Sequence, residues 1–113
     1  MSITIEHGLS KKELKTILKV LSVYKPKIEK VGIFGSRANK QYKEYSDIDL
    51  VLYGDLNEQE TDHLNTLFDE SNLGLRVDIK TYKNIDYPPL KRHIDSLGKT
   101  LFTKEQLNQK KPW

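Results

Sequence analysis

The chain reads as an α/β domain. Three observations predict it: two helical stretches opened by capping signals, short β-branched runs interleaved with them, and a Gly-Ser turn set between two of those runs. Ser10-Lys11-Lys12-Glu13 forms a capping box, and Leu14, Ile17, Leu18 and Leu21 follow at helical spacing. This predicts a first helix from Lys11 to about Tyr24, closed because Pro26 cannot continue it. Lys30-Val31-Gly32-Ile33-Phe34 then reads as a buried strand running into Gly35-Ser36. A second strand carries Asp47-Ile48-Asp49-Leu50 and leaves through Gly54-Asp55. Asn57 and Glu60 mark the start of a second helix, which turns Leu64, Leu67 and Phe68 inward and closes at Asn72-Leu73-Gly74.

The alternating segment Leu75 to Tyr82 predicts a third strand. Asn84 to Pro89 is a loop, and Pro88 or Pro89 suits the first turn of a short helix with Leu90, Ile94 and Leu97 on its inner face and Gly98 as its stop. Thr100-Leu101-Phe102 is a short closing strand. Beyond Thr103 the chain is polar around a single Leu107, as a weak helical appendage or a frayed tail would be. These elements make one domain over residues 1–113, with a core from about 10 to 102 and a polar tail over 103–113. At 113 residues such a domain buries somewhat over 60% of the surface its unfolded form exposes.

Composition excludes several classes. There is no cysteine, hence no disulfide framework and no thiolate metal site. No apolar run approaches the roughly 20 residues of a membrane span, and Met1 to Ser10 lacks the basic start and apolar centre of a signal peptide, so a cytoplasmic location is expected. The net charge of +3 is modest. Its lysine groups at Lys11/Lys12, Lys25/Lys27/Lys30 and Lys40/Lys43 could add up to a positive rim for phosphates, although the first two read first as solvated helix faces. Aromatic residues are not interleaved with those charges, which leaves nucleic acid a secondary candidate partner.

The chemistry concentrates in residues 35–50. A strand repeats every two residues, so Asp47 and Asp49 project from one face while Ile48 and Leu50 point to the other. Two adjacent carboxylates repel by a few kcal/mol at an effective dielectric of about 20, a strain that a cation relieves. Oxygen-only ligands suit Mg²⁺ or Mn²⁺. Gly35 lets the backbone turn sharply and approach a ligand, Ser36 adds a hydroxyl and an N–H, and Arg37 is a planar donor for the same phosphates. A phosphate grip at one strand end and a metal grip on its neighbour form a single nucleotide site.

The Gly-Ser, ten residues, Asp-X-Asp spacing resembles the signature of the DNA polymerase β-type nucleotidyltransferase superfamily, and the short chain resembles its minimal branch. With the order of strands and helices, the resemblance implies a small mixed β-sheet flanked by helices on one face. It also implies a third carboxylate from a later strand, for which Asp78 is the candidate. The chemistry implied is a two-metal in-line displacement at the α-phosphate of ATP, with Gly35 and Ser36 on the leaving pyrophosphate and Asp78 as general base. Minimal members of the family are typically antitoxins of HEPN-domain ribonuclease toxins and transfer AMP to a toxin tyrosine, which implies a protein partner. Where family members often carry Ala-Arg-Gly, this chain has Ala38-Asn39-Lys40, and Asn39 tolerates the left-handed backbone a glycine would take.

Plainer readings stand beside these. Asp47 and Asp49 could mark a solvated sheet face, and Asp78 shares its face with Arg76 and Lys80, so that Lys80 either pairs with the acids or touches a phosphate. His7, His63 and His93 have no common spacing and read as surface residues. Ser36 has no nearby histidine to activate it as a nucleophile. Tyr42 and Tyr45 read as loop residues half-covering the core rather than as base-stacking groups. Two other functions remain open: a binding-only antitoxin that neutralises by contact, and a transferase acting on a small molecule or an RNA end.

Overall fold

The computed structural model describes residues 7–38, 41–43 and 45–108. Asn39, Lys40 and the last five positions of the predicted tail lie outside the described residues. Helix α1 spans Lys11–Leu21, and both arms of the predicted Ser10/Glu13 capping box form. It ends three residues earlier than the hydrophobic spacing indicates. Residues Ser22–Lys27 tighten into 3₁₀ turns because Pro26 lacks an N–H and biases Lys25 away from α, and Tyr24 leaves helical geometry altogether (φ −120°, ψ 22°).

Four strands follow: β1 Ile28–Phe34, β2 Ile48–Gly54, β3 Val77–Thr81 and β4 Lys99–Thr103. Their spatial order is β3-β2-β1-β4, with β1 antiparallel to β2 and β4 and β2 parallel to β3. The parallel pair requires a crossover, which α2 (Glu58–Glu70) supplies from its own Asn57/Glu60 capping box. Helix α3 spans Pro88–Leu97 with Pro88 in its first turn, and a short α4, Lys104–Asn108, follows β4. None of the described helices is long and apolar enough to cross a membrane.

One sheet face buries the main core. Ile48, Leu50 and Leu52 of β2 and Val31 and Ile33 of β1 meet Leu14, Ile17 and Leu21 of α1 and Leu64 and Phe68 of α2. Leu107 of α4 joins the same core, so this part of the predicted tail is docked. Truncating a side chain such as Leu50 there costs about 2–5 kcal/mol. Because β2 is anchored through its even-numbered positions, its odd ones, Asp49, Val51 and Tyr53, are turned to the opposite face.

That opposite face is not bare, as helices on one side only would leave it. A second cluster of Phe34, Val51, Ile85 and Ile94, with Tyr53, Tyr82 and Leu90 against it, seats α3 there. Tyr53 and Tyr82 stack at 5.0 Å, and Tyr82 donates to Asp95 at 2.9 Å. Leu97, predicted on the inner face of α3, is exposed, and the helix packs on the sheet through Ile94 and Leu90 instead. At the β3 edge the side chain of Asn65 replaces a missing strand: its Oδ1 accepts from Ile79 N at 2.9 Å and its Nδ2 donates to Ile79 O at 3.3 Å. A blocked edge resists pairing with another chain.

Candidate active site

The end of β1 and the start of β2 are neighbours, with Phe34 opposite Asp49. Gly35 and Ser36 open a single 3₁₀ turn, Gly35–Arg37, directly off β1. Gly35 sits at φ +74°, and a Cβ there would overlap Asp49 Oδ2. The position therefore needs glycine twice: for the left-handed backbone, and for the close approach of the turn to a carboxylate. Ser36 is half-buried, and its carbonyl accepts from Gln41 N at 3.0 Å. The turn and the acid-bearing strand thus meet at one corner of the sheet.

The three predicted carboxylates gather at this corner. Asp49 is half-buried on the α3 face, Asp47 is exposed one residue before β2, and Asp78 lies beside Asp49 as its partner across the parallel pair. Burial raises the pKa of Asp49, and the charges of Asp78 and then Asp47 raise it further. Lys80 and His93 oppose that rise. Lys80 Nζ stands 3.7 Å from Asp78 Oδ2, the ion pair anticipated between residues two apart on one strand face.

Among the described residues no three His, Cys, Asp or Glu side chains already converge on one point. The donor set nonetheless fits a hard divalent cation. It is all carboxylate, its members repel one another, and an ammonium group already lies against one of them. From Asp78 and Lys80 an open groove of about 500 Å³ runs along the β3 edge past Asp62 and Asp86 to Tyr87 and Leu90.

Arg37 departs from its predicted role as a phosphate donor. It is 1% exposed, with Nη1 donating to His7 O at 2.7 Å and Nε and Nη2 donating to Ser46 O at 3.2 and 3.0 Å. With Nε, Nη1 and Nη2 each donating to a backbone carbonyl, this planar group is turned into the protein. His7, predicted at the surface, is likewise buried, its Nδ1 accepting from Leu9 N at 3.0 Å, and desolvation lowers its pKa. His63 is exposed as anticipated, paired with the Tyr24 hydroxyl at 2.6 Å.

His93, predicted at the surface, is half-buried with its ring edge-on to Phe34 at 6.2 Å, and its charge is felt by Asp49. No spacing in the sequence announces it, because α3 reaches the acids only through tertiary packing. Of the lysines considered as a phosphate rim, Lys27 pairs with Glu60 at 2.5 Å and Lys30 lies 4.3 Å over the Tyr53 ring, so both are committed elsewhere. Tyr42 is half-buried against Arg37, whereas Tyr45 is 80% exposed.

Comparison with known proteins agrees with this geometry. The family model described as polymerase beta, nucleotidyltransferase matches residues 15–107, which takes in the turn, all three acids and α3. The chain belongs to this nucleotidyltransferase family. A protein of Methanocaldococcus jannaschii, provisionally named a protein adenylyltransferase, is 35% identical over 89 residues, covering 74% of this chain and 89% of that one.

Solved structures share the fold. A toxin–antitoxin complex with AMP-PNP matches at a TM-score of 0.66 and 21% identity, over 88% of this chain and 81% of the other. A tri-AMPylated HEPN toxin of Shewanella oneidensis in complex with its MNT antitoxin matches at 0.63 and 23%, over 86% and 76%.

Proposed function

We propose that this nucleotidyltransferase moves AMP from ATP to a tyrosine hydroxyl of a HEPN-family toxin, and that it acts in the cytoplasm as that toxin's antitoxin. The observation that carries the reading is the contact between Gly35 and Asp49, which joins a phosphate-binding turn to a set of mutually repelling carboxylates. Family membership, the adenylyltransferase name of the archaeal relative and the toxin–antitoxin nature of the structural neighbours support it.

Two Mg²⁺ ions, or Mn²⁺, held by Asp47 and Asp49 and by these with Asp78, would supply the charge that neutralises the triphosphate and eases ionisation of the attacking hydroxyl. The chain's own groups do the rest. Backbone N–H groups of the turn and the Ser36 hydroxyl hold the β- and γ-phosphates. Asp78 takes the tyrosine proton as the phenolic oxygen bonds to the α-phosphorus and the bond to the β-phosphate oxygen breaks, releasing pyrophosphate. The acceptor arrives along the open β3 groove, which leads straight to Asp78.

Intact-mass spectrometry of the toxin after incubation with this protein, ATP and Mg²⁺ tests the proposal. A gain of about 329 Da per transferred AMP, lost with Asp78→Asn, is the expected result. An unmodified toxin that wild type and Asp78→Asn inhibit equally would instead establish a binding-only antitoxin. Transfer to RNA or to a small molecule without the toxin would establish the third function.

A further inference from the structure

We propose that Arg37 is a positioning residue for the acid site, a clamp that fixes Asp47 by gripping the peptide group in front of it. Ser46 O is the carbonyl of the Ser46–Asp47 peptide. Because that unit is planar, holding its oxygen in one direction also sets the Asp47 backbone N and Cα. Arg37 reaches the oxygen with two donors, Nε at 3.2 Å and Nη2 at 3.0 Å. On the other side of Asp47, Ile48 N donates to Arg76 O at 2.8 Å. Asp47 is therefore suspended between two fixed peptide groups although its own side chain is exposed.

The clamp also has an anchor of its own. A further grip is Nη1 on His7 O at 2.7 Å, and the guanidinium lies 5.2 Å from the centre of the Tyr42 ring. Gly8, at φ +73°, lets the chain pass close to both groups: a Cβ there would overlap the Tyr42 ring and stand 2.9 Å from Arg37 Nη1. Residues 7 and 8 lie before the span matched by the family model, which begins at residue 15. This segment of the chain thus supports the site from outside the matched span. Arg37 is adjacent to Ser36 in sequence, so one residue ties the phosphate turn to the acid entry.

Only a forked, planar donor makes this set of contacts. Lysine keeps the charge and most of the stem but offers a point ammonium in place of the Nε/Nη2 fork. The inference rests on the transferase reading for its catalytic consequence, and the test separates the two. Arg37→Lys and Arg37→Met are compared with wild type by amide hydrogen exchange over residues 41–48 and by Mn²⁺·ATP-analogue affinity, read by electron paramagnetic resonance.

In Arg37→Lys, exchange over 41–48 rises about tenfold with β1 and β3 unchanged, and Mn²⁺·nucleotide affinity falls about tenfold, the scale of one lost charge-assisted hydrogen bond. Arg37→Met, if it folds, exceeds both effects. Unchanged exchange and unchanged Mn²⁺ affinity in Arg37→Lys would overturn the clamp. Wild-type protein that takes up no Mn²⁺·nucleotide would count against the transferase reading instead, and the exchange comparison then decides on Arg37 alone.

Discussion

Gly35→Ala separates backbone strain from site geometry, because Gly74→Ala provides an internal control. Both glycines sit in the left-handed region, at φ +74° and +83°. A Cβ at Gly74 has nothing within 4 Å, whereas one at Gly35 overlaps Asp49 Oδ2. Forcing alanine into that backbone costs about 1–2 kcal/mol at either position. On a domain of this size each kcal/mol lowers the melting temperature by about 4 °C. Gly74→Ala should show that loss and nothing more.

Gly35→Ala adds a steric term of about 1–3 kcal/mol unless the Asp49 carboxylate swings away. If it does swing, a displacement of about 1 Å at a reacting centre costs on the order of 100-fold in rate. The expected pattern is comparable or greater destabilisation with transfer activity down about 100-fold in Gly35→Ala, against near-normal activity in Gly74→Ala. Urea denaturation measures the first quantity and AMP transfer to the partner the second. Equal activity in two folded variants would refute the claim that the turn must approach Asp49.

Three further outcomes follow from the same geometry. Asp49→Asn should abolish transfer yet leave the metal-free protein as stable as wild type or more so at pH 7. The folded-state pKa of Asp49 is raised, so its native form binds more protons and the penalty grows as pH rises through that value and vanishes below about 3.9; urea midpoints at pH 7 and below pH 4 check this, and a less stable Asn variant at pH 7 would contradict it. Asn65→Leu removes both hydrogen bonds to Ile79, costing about 1–3 kcal/mol and leaving a strand edge that promotes self-association, as light scattering would show. Ser36→Ala should reduce nucleotide use by only about tenfold, since backbone donors of the turn survive; a loss as complete as that of Asp49→Asn would give Ser36 a chemical role.

Local interactions were legible in the sequence because they are encoded within a few residues. Both capping boxes, the Pro88 helix start and the alternation that turns Asp49 away from Leu50 depend only on neighbours in the chain. The spacing from Gly35-Ser36 to Asp47 and Asp49 likewise carried the family, because a strand, a turn and the returning strand fix how far apart those groups fall.

Tertiary structure decided the rest. Whether Arg37 faces a ligand or the interior depends on where the carbonyls of His7 and Ser46 arrive, and both are at least nine residues away along the chain. His93 reaches the acids because α3 packs on the sheet face opposite α1 and α2, a choice made by Phe34, Val51, Ile85 and Ile94 together. Asp78 becomes the neighbour of Asp49 only through the parallel register of β2 and β3, which the crossover helix sets. Side-chain periodicity names the face on which a residue lies, but the long-range packing energy that selects the occupant of that face is a sum over residues distant in sequence, and no short window of the chain contains it.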